Sequence, residues 1–264
     1  MQIFKHFDEL SEFTTVTFGT FDGVHIGHRS ILQRVKNGLV ITFEPYPREV
    51  IAQKTGERLT LLNEKLEVFN SLGLENIFVM KFDPIMAKTP AEKFIEIVLK
   101  HTNFKKIITG FNQRFGHSHL GDANLLHRLG YKLGFEVEVV PPVLFENLPV
   151  SSTRIRKELK NGNLDKSNAM LGYEYFFEGE TIKGTGLGRK IGFPTINLAV
   201  CKDKILPKHG VYAAKVKSQT KIFSGMLYIG TKMDFITYKE TFTIEIHLFD
   251  YEKNLTEKLR VFPV

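Results

Sequence analysis

A chain of 264 residues with 42% apolar and 25% charged side chains has the composition of a folded globular protein, which excludes a disordered chain. Its 36 Lys and Arg against 29 Asp and Glu give a net charge of +7, spread over both halves without a basic block; nucleic-acid binding expects a clustered footprint, whereas mild positive charge suits anionic small substrates. The single cysteine, Cys201, excludes an internal disulfide and any multi-cysteine metal site. No apolar run reaches the roughly 18–20 residues of a membrane span, and the opening MQIFKHFDELSEF has no signal-peptide core. The expectation is a cytoplasmic protein with neither membrane nor nucleic acid as partner. Nothing in the pattern speaks to oligomeric state.

In chain order, residues 14–18 read as a strand, followed by a Gly-rich turn and a helix over about 27–36 closed by Gly38. Residues 39–43 are the next strand, ended by Pro45 and Pro47. A helix over 63–72 stops at Gly73, a strand covers 76–82, and a helix over 90–100 carries Pro in its first turn. Strand 106–109 leads into a Gly/His loop, then a helix over 123–133 and a strand over 135–140. This alternation predicts an α/β domain with a parallel sheet and helices on both faces. After Gly162 the rhythm changes. Strands over 173–182, 195–200, 210–218, 221–230 and 241–250 follow with no helix between them, which predicts a small antiparallel barrel or sandwich. The domains are therefore expected at 1–171 and 172–264.

The stretch from Gly19 to His28 joins a strand to a helix. Asp22 and Gly23 supply a tight turn, with Phe21 just before it, and Gly27 lets the backbone approach a ligand closely. His25 and His28 fall in the first helical turn, where free N–H groups and the helix dipole favour anions. An isolated His-x-x-His is more often a metal pair or two exposed histidines; the Asp-Gly turn between strand and helix favours a phosphate cradle instead. Further on, Ser151, Ser152 and Thr153 precede a helix over 154–160. Ser151 or Ser152 can cap it and Arg156 can reach phosphate oxygens, although alone this reads as a plain cap with a solvated Arg. The loop after 106–109 carries Asn112, Gln113, Phe115 and Gly116, then His117 and His119, which lack an evident third metal ligand.

The second half has its own cluster. Gly184, Gly186, Gly188 and Gly192, with Arg189 among them, allow a loop to wrap phosphates with its N–H groups, although a glycine hairpin is an equally fair reading. No Gly-Lys-Ser/Thr and no helix pattern follows, so this is neither a Walker loop nor a dinucleotide fingerprint. Thr195 and Asn197 lie two apart on one strand face and offer hard oxygen ligands. In 242–249, Phe242, Ile244, Ile246 and Leu248 face one side as core, while Thr243, Glu245 and His247 face the other. Taken by itself, Glu245 is a solvated strand carboxylate.

Together these motifs resemble a known family. The His-x-Gly-His string is similar to that of the nucleotidyltransferase superfamily. With Phe21-Asp22-Gly23 in front, and with Phe43-Glu44-Pro45-Tyr46-Pro47-Arg48, it resembles the bacterial bifunctional riboflavin kinase/FMN adenylyltransferases, which usually have His where Tyr46 stands. The segment from Val150 to Arg156 resembles that family's Ser-Ser-Thr-x-x-Arg motif, and the Gly110–Gly116 loop its flavin-side loop, with Gln113 in place of Phe. Lys183 to Asn197 resembles the riboflavin kinase signature, including Pro194-Thr195-Ile196-Asn197. The resemblance implies an enzyme that phosphorylates riboflavin to FMN and adenylylates FMN to FAD, with ATP and Mg²⁺. It implies Glu245 as base toward the ribityl hydroxyl, Thr195 and Asn197 at Mg²⁺ and the ATP phosphates, and Gly184, Gly188 and Arg189 around that nucleotide. In the first domain it implies His25, His28 and Arg156 at the phosphates, with Gly19, Phe21, Asp22, Gly23, Gly27, Asn112, Ser151, Ser152 and Thr153 lining the substrates. The family's Gly-x-x-Pro-Thr-Phe turn reads Gly230-Thr231-Lys232-Met233-Asp234-Phe235 here, and family members generally continue past the position of Val264 into a further helix. The alternatives are an adenylyltransferase with a weakened kinase, a flavin-binding regulator without turnover, and a nucleic-acid-binding barrel. Intact His25, His28, Thr195 and Glu245 disfavour the regulator, and the even charge disfavours the nucleic-acid reading.

Overall fold

A computed structural model describes the chain except residues 36, 54–55, 185–191, 220, 235–238 and 250–256. The chain divides into two compact units: Met1–Thr55 with Thr60–Ser151, and Gly56–Leu59 with Ser152–Val264.

The first unit runs β1 (Gln2–Phe4), β2 (Thr15–Phe18), α1 (Ile26–Leu32), β3 (Leu39–Glu44), α2 (Pro47–Ala52), α3 (Leu62–Ser71), β4 (Asn76–Lys81), α4 (Pro84–Ala87), α5 (Ala91–Thr102), β5 (Lys106–Gly110), α6 (Ala123–Leu133) and β6 (Glu136–Val140), then a short hairpin of β7 (Leu144–Phe145) and β8 (Leu148–Pro149). Six strands form one sheet in the order β1-β4-β3-β2-β5-β6, and every pairing in it is parallel. A parallel sheet is covered on both faces, which is why its strands read as nearly unbroken apolar runs. On one face Val16, Phe18, Leu39, Ile41, Phe43, Phe78 and Met80 pack with Phe94, Ile95 and Val98 of α5 and Leu125, Leu126 and Leu129 of α6. On the other, Val40 and Ile77 are buried, as are Ile31 and Leu32 of α1 and Val68 and Phe69 of α3. Local signals set the helix ends. Asp122 Oδ1 accepts the Leu125 N–H at 2.9 Å at the start of α6, and Gly134, at φ 79°, closes it.

The strand order places β2 between β3 and β5: the chain passes from β2 to β3 and β4 on one side, then crosses from β4 to β5 on the other. Such a switch point opens a crevice beyond the carboxyl ends of the strands, where open α/β sheets bind ligands. The β2–α1 loop, Gly19 to His25, lies there.

The second unit runs α7 (Ser152–Asn161), α8 (Leu164–Leu171), β9 (Phe177–Ile182), β10 (Ile196–Val200), β11 (Gly210–Ser218), β12 (Lys221–Asp234), β13 (Lys239–Leu248) and β14 (Lys258–Pro263). Its strands close an antiparallel barrel in the order β10-β13-β12-β11-β14-β9. Closure removes the exposed edges that an open sheet of this size would present. Leu198, Val216, Leu227, Ile229, Ile244, Ile246, Leu248 and Val261 are buried. The early segment Gly56–Leu59 belongs to this unit: Arg58 N–H donates to the Asp203 carbonyl at 2.7 Å, Ile205 N–H to the Arg58 carbonyl at 3.0 Å, and Lys204 Nζ to the Leu59 carbonyl at 2.7 Å.

The sequence reading misses β1, α2, α4, the hairpin, α8 and β14. It also places Phe242 in the core. Phe242 is instead 48% exposed at the start of the inward-facing row of β13, with its ring 5.4 Å from that of His209.

Candidate active sites

In the first unit the β2–α1 turn is strained and anchored. Phe21 (φ 50°) and Val24 (φ 39°) adopt left-handed backbone that side chains disfavour, alongside Gly23 at φ 80°. Asp22 is 4% exposed, and its Oδ1 accepts the Thr60 N–H at 3.1 Å. Gly23 N–H donates to Thr60 Oγ1 at 3.0 Å. The Tyr46 hydroxyl donates to the Thr60 carbonyl at 2.7 Å and lies 3.2 Å from Asp22 Oδ1. Asp22 thus holds the turn's shape together with Tyr46 and Thr60; the sequence reading named Tyr46 only as a departure from the family motif and did not name Thr60. Gly19 N–H donates to the Ile41 carbonyl at 3.0 Å, and a Cβ there would meet the Phe21 ring at 3.0 Å.

His25 is the N-cap of α1. Its Nδ1 accepts the His28 N–H at 3.2 Å, which leaves the imidazole proton on Nε2. The two rings stack at 3.6 Å with an 18° interplanar angle, and Phe21 meets His28 edge-on at 5.4 Å. A Cβ on Gly27 would approach the His25 ring at 3.2 Å, so the close stack over the helix start depends on glycine. Burial holds the His28 imidazole well below the ordinary histidine value, helped by charge on His25 and Lys65. Its Nδ1 is buried without a hydrogen-bond partner among the described residues. Sequence reasoning also missed Lys65. Its signal was a lysine at the α3 position that shares a face with Val68 and Phe69.

Beside this loop lies a cavity of about 140 Å³ at the carboxyl ends of the strands. Phe18, Gly19, Phe43, Phe82, Phe94 and Phe115 line it, with Gln113, Arg114 and His119 among its polar groups. Phe18 packs edge-on against Phe94 at 5.1 Å and Phe115 at 5.0 Å. Asn112 is exposed on the turn next to Gln113. His117 Nδ1 is 3.2 Å from the Ala87 carbonyl while His119 faces the cavity, and among the described residues no three His, Cys, Asp or Glu come together as a metal site.

Ser151 directly precedes α7, which begins at Ser152, and Thr153 is exposed in its first turn. Arg156 belongs to the second unit, where its Nε donates to the Glu57 carbonyl at 2.7 Å and Lys160 pairs with the Glu57 carboxylate.

The barrel gathers a second group. Asn197 of β10 pairs in register with Glu245 of β13. Thr243 Oγ1 sits 3.4 Å from both Asn197 Oδ1 and Glu245 Oε1, and Lys232 Nζ lies 3.2 Å from Glu245 Oε1. Gly184 packs so tightly on the Asn197 amide that a Cβ would overlap it. Thr195 is exposed just before β10. The preceding Pro194 carbonyl accepts from His247 Nδ1 at 2.9 Å, which fixes the approach of this segment to the strand. Lys232 and His247 are further residues that the sequence reading gave no role. Gly186, Gly188 and Arg189 lie outside the described residues.

A parallel sheet with paired histidines at its switch point, followed by a closed barrel with an Asn-Thr-Glu face, is the build of a two-domain phosphate-group transferase. A family described as FAD synthetase matches residues 8–154, and one described as riboflavin kinase matches residues 171–263. Bifunctional riboflavin kinase/FMN adenylyltransferases are similar along most of the chain. The protein of Buchnera aphidicola from Schizaphis graminum is 36% identical, covering 94% of this chain and 84% of the relative. That of Escherichia coli K12 is 34% identical, covering 91% and 79%. A crystal structure described as a macrolide-efflux protein from Streptococcus pneumoniae superposes with a TM-score of 0.83 at 29% identity, covering 96% of this chain and 85% of that one. Among the described residues no helix is long and apolar enough to cross a membrane. The chain belongs to the bifunctional riboflavin kinase/FMN adenylyltransferase family. It is a transferase of flavin cofactor synthesis with both domains present, and the riboflavin kinase match spans the altered stretch 230–235, of which Gly230–Asp234 belongs to β12; no finding favours an inactive kinase.

Proposed function

We propose that the barrel makes FMN and the parallel-sheet domain converts it to FAD, with the catalytic modules divided at residues 171 and 172. The observation that carries this reading is the stacked His25–His28 pair at the first turn of α1, beside a phenylalanine-lined cavity at the switch point.

On the barrel, Glu245 takes the proton of the riboflavin 5′-hydroxyl. The oxygen attacks the γ-phosphorus of ATP, the bond to the β-phosphate oxygen breaks, and ADP leaves. The oxygen donors of Thr195 and Asn197 fit a hard cation that keeps waters and phosphates as its other ligands, as Mg²⁺ does. When bound, that ion offsets charge on the phosphates. Gly184 brings its backbone against Asn197, and by the family resemblance Gly188 and Arg189 are further contacts of the nucleotide.

On the parallel-sheet domain, an FMN phosphate oxygen attacks the α-phosphorus of a second ATP and pyrophosphate leaves. No protein nucleophile is needed, because the phosphate is already anionic. His25 offers Nε2–H to the phosphates beside His28, and Ser151, Ser152, Thr153 and Arg156 carry the segment that resembles the family's phosphate-binding motif. Gly19, Phe21, Asp22, Gly23 and Gly27 shape the turn, and Asn112 borders the flavin. The cytoplasm, which holds the ATP both steps consume, is the compartment this chemistry fits.

The test is chromatography of products from the purified chain with ATP and Mg²⁺, given riboflavin in one tube and FMN in another. FMN and FAD from riboflavin is the expected result. FAD from the FMN tube alone would assign the chain a weakened kinase. No product from either would overturn the reading.

A further inference from the structure

Lys65 is completely buried, a rare state for a lysine unless its ammonium is well bonded, and the chemistry above leaves it unused. Its Nζ donates to the Thr20 carbonyl at 3.2 Å and to Thr42 Oγ1 at 2.9 Å. Thr42 Oγ1 in turn donates to the same Thr20 carbonyl at 3.2 Å. The three groups close a triangle between α3, β3 and the β2–α1 turn, and the ammonium sits 4.6 Å over the Tyr46 ring. The clamped carbonyl belongs to the peptide that leads into Phe21, where the backbone enters its left-handed stretch. A strained turn persists only where its surroundings over-determine it.

We propose that Lys65 is a positioning residue for adenylyl transfer: with the Thr42 hydroxyl it clamps the Thr20 carbonyl, and so holds the Phe21–Val24 turn that sets His25 and His28 at the start of α1. The proposal rests on the reading of that histidine pair as the adenylyl-transfer site. The same ammonium is one of the two charges, with His25, that disfavour protonation of His28, so the clamp and the protonation state of the site are linked.

The test uses the full chain with Lys65→Met, Lys65→Arg, Thr42→Val and His28→Ala. FAD formation from FMN is resolved into kcat and KM, FMN formation from riboflavin is the internal control, and the His28 Cε1 proton is titrated by NMR. Lys65→Met is expected to lower kcat for FAD by about 30-fold or more, as a displaced catalytic group does, with FMN formation within about twofold of wild type. The His28 midpoint should move up. Lys65→Arg should restore that midpoint but only part of kcat, because a planar guanidinium does not fill the ammonium's place. Thr42→Val keeps the charge and removes one bond to Thr20, and should cost roughly tenfold in kcat. If Lys65→Met and Thr42→Val both keep kcat within twofold while His28→Ala is inactive, the positioning role is wrong. If Lys65→Met does not fold, Thr42→Val decides alone, an unchanged kcat overturning the role. A fully active His28→Ala would instead overturn the site reading on which the proposal stands.

Discussion

His25 Nδ1 accepts the main-chain N–H of His28 at 3.2 Å, so one imidazole serves both as helix cap and as stacking partner, and its Nε2 carries the ring proton. Gly27 sits under this arrangement, and a methyl there would press the His25 ring at 3.2 Å. Gly27→Ala sets helix propensity against site geometry. At the second residue of α1 alanine gains less than the roughly 1 kcal/mol of a helix interior, so the melting temperature should change little. FAD formation should nevertheless fall about tenfold, because displacing a catalytic group costs rate rather than stability. A melt and a product assay on one preparation separate the two.

His28 makes the fold sensitive to acid. Its folded-state affinity for a proton is lowered by burial first, then by His25 and Lys65, below the ordinary value of 6.5. Below pH 6.5 the unfolded chain therefore binds a proton that the folded chain refuses, and stability rises with pH through that window. The contribution is fully present above pH 6.5 and is lost as pH falls beneath it. Melting temperatures at a series of pH values from 5 to 7 should drop on the acid side, and His28→Gln should flatten that drop. Equal slopes for both proteins would contradict the assignment.

The two chemistries should be separable by single substitutions. Glu245→Gln keeps the shape and loses the carboxylate proposed as base, so FMN formation from riboflavin should fall by about 10²-fold or more while FMN is still converted to FAD. His28→Ala should do the converse. Parallel loss of both activities in either variant would rule out two independent sites.

Tyr46 donates its hydroxyl proton to the Thr60 carbonyl at 2.7 Å inside a fully buried site. Tyr46→Phe leaves that oxygen without the donor, at a cost of about 1–2 kcal/mol in urea unfolding. The Thr60 bonds to Asp22 and Gly23 remain, so FAD formation should drop only a few fold.

How much of this was readable beforehand depends on how local each signal is. The helix over 123–133 matches α6 at both ends because Asp122 and Gly134 mark its limits within the segment itself. The turn from Asp22 to His28 was legible for the same reason. Lys65 was not, since a lysine on an apolar helix face looks like a break in the pattern until Thr20 and Thr42 are found around it. Arg156 was readable as a cation one turn into a helix, but its bond to the Glu57 carbonyl spans 99 positions and leaves no local trace. Phe242 fits the alternation of β13 yet is exposed, because periodicity assigns a face and not a depth.

The place of Gly56–Leu59 among residues of the second unit has a consequence for synthesis. Leu59 receives its bond from Lys204, 145 positions later in the chain. At roughly 5–20 residues per second, a nascent chain holds this strip for about 7–30 s before its partner emerges. The barrel unit therefore cannot complete itself from consecutive chain, and an expression fragment that starts at Ser152 would be born without the strip that covers the Lys204 ammonium.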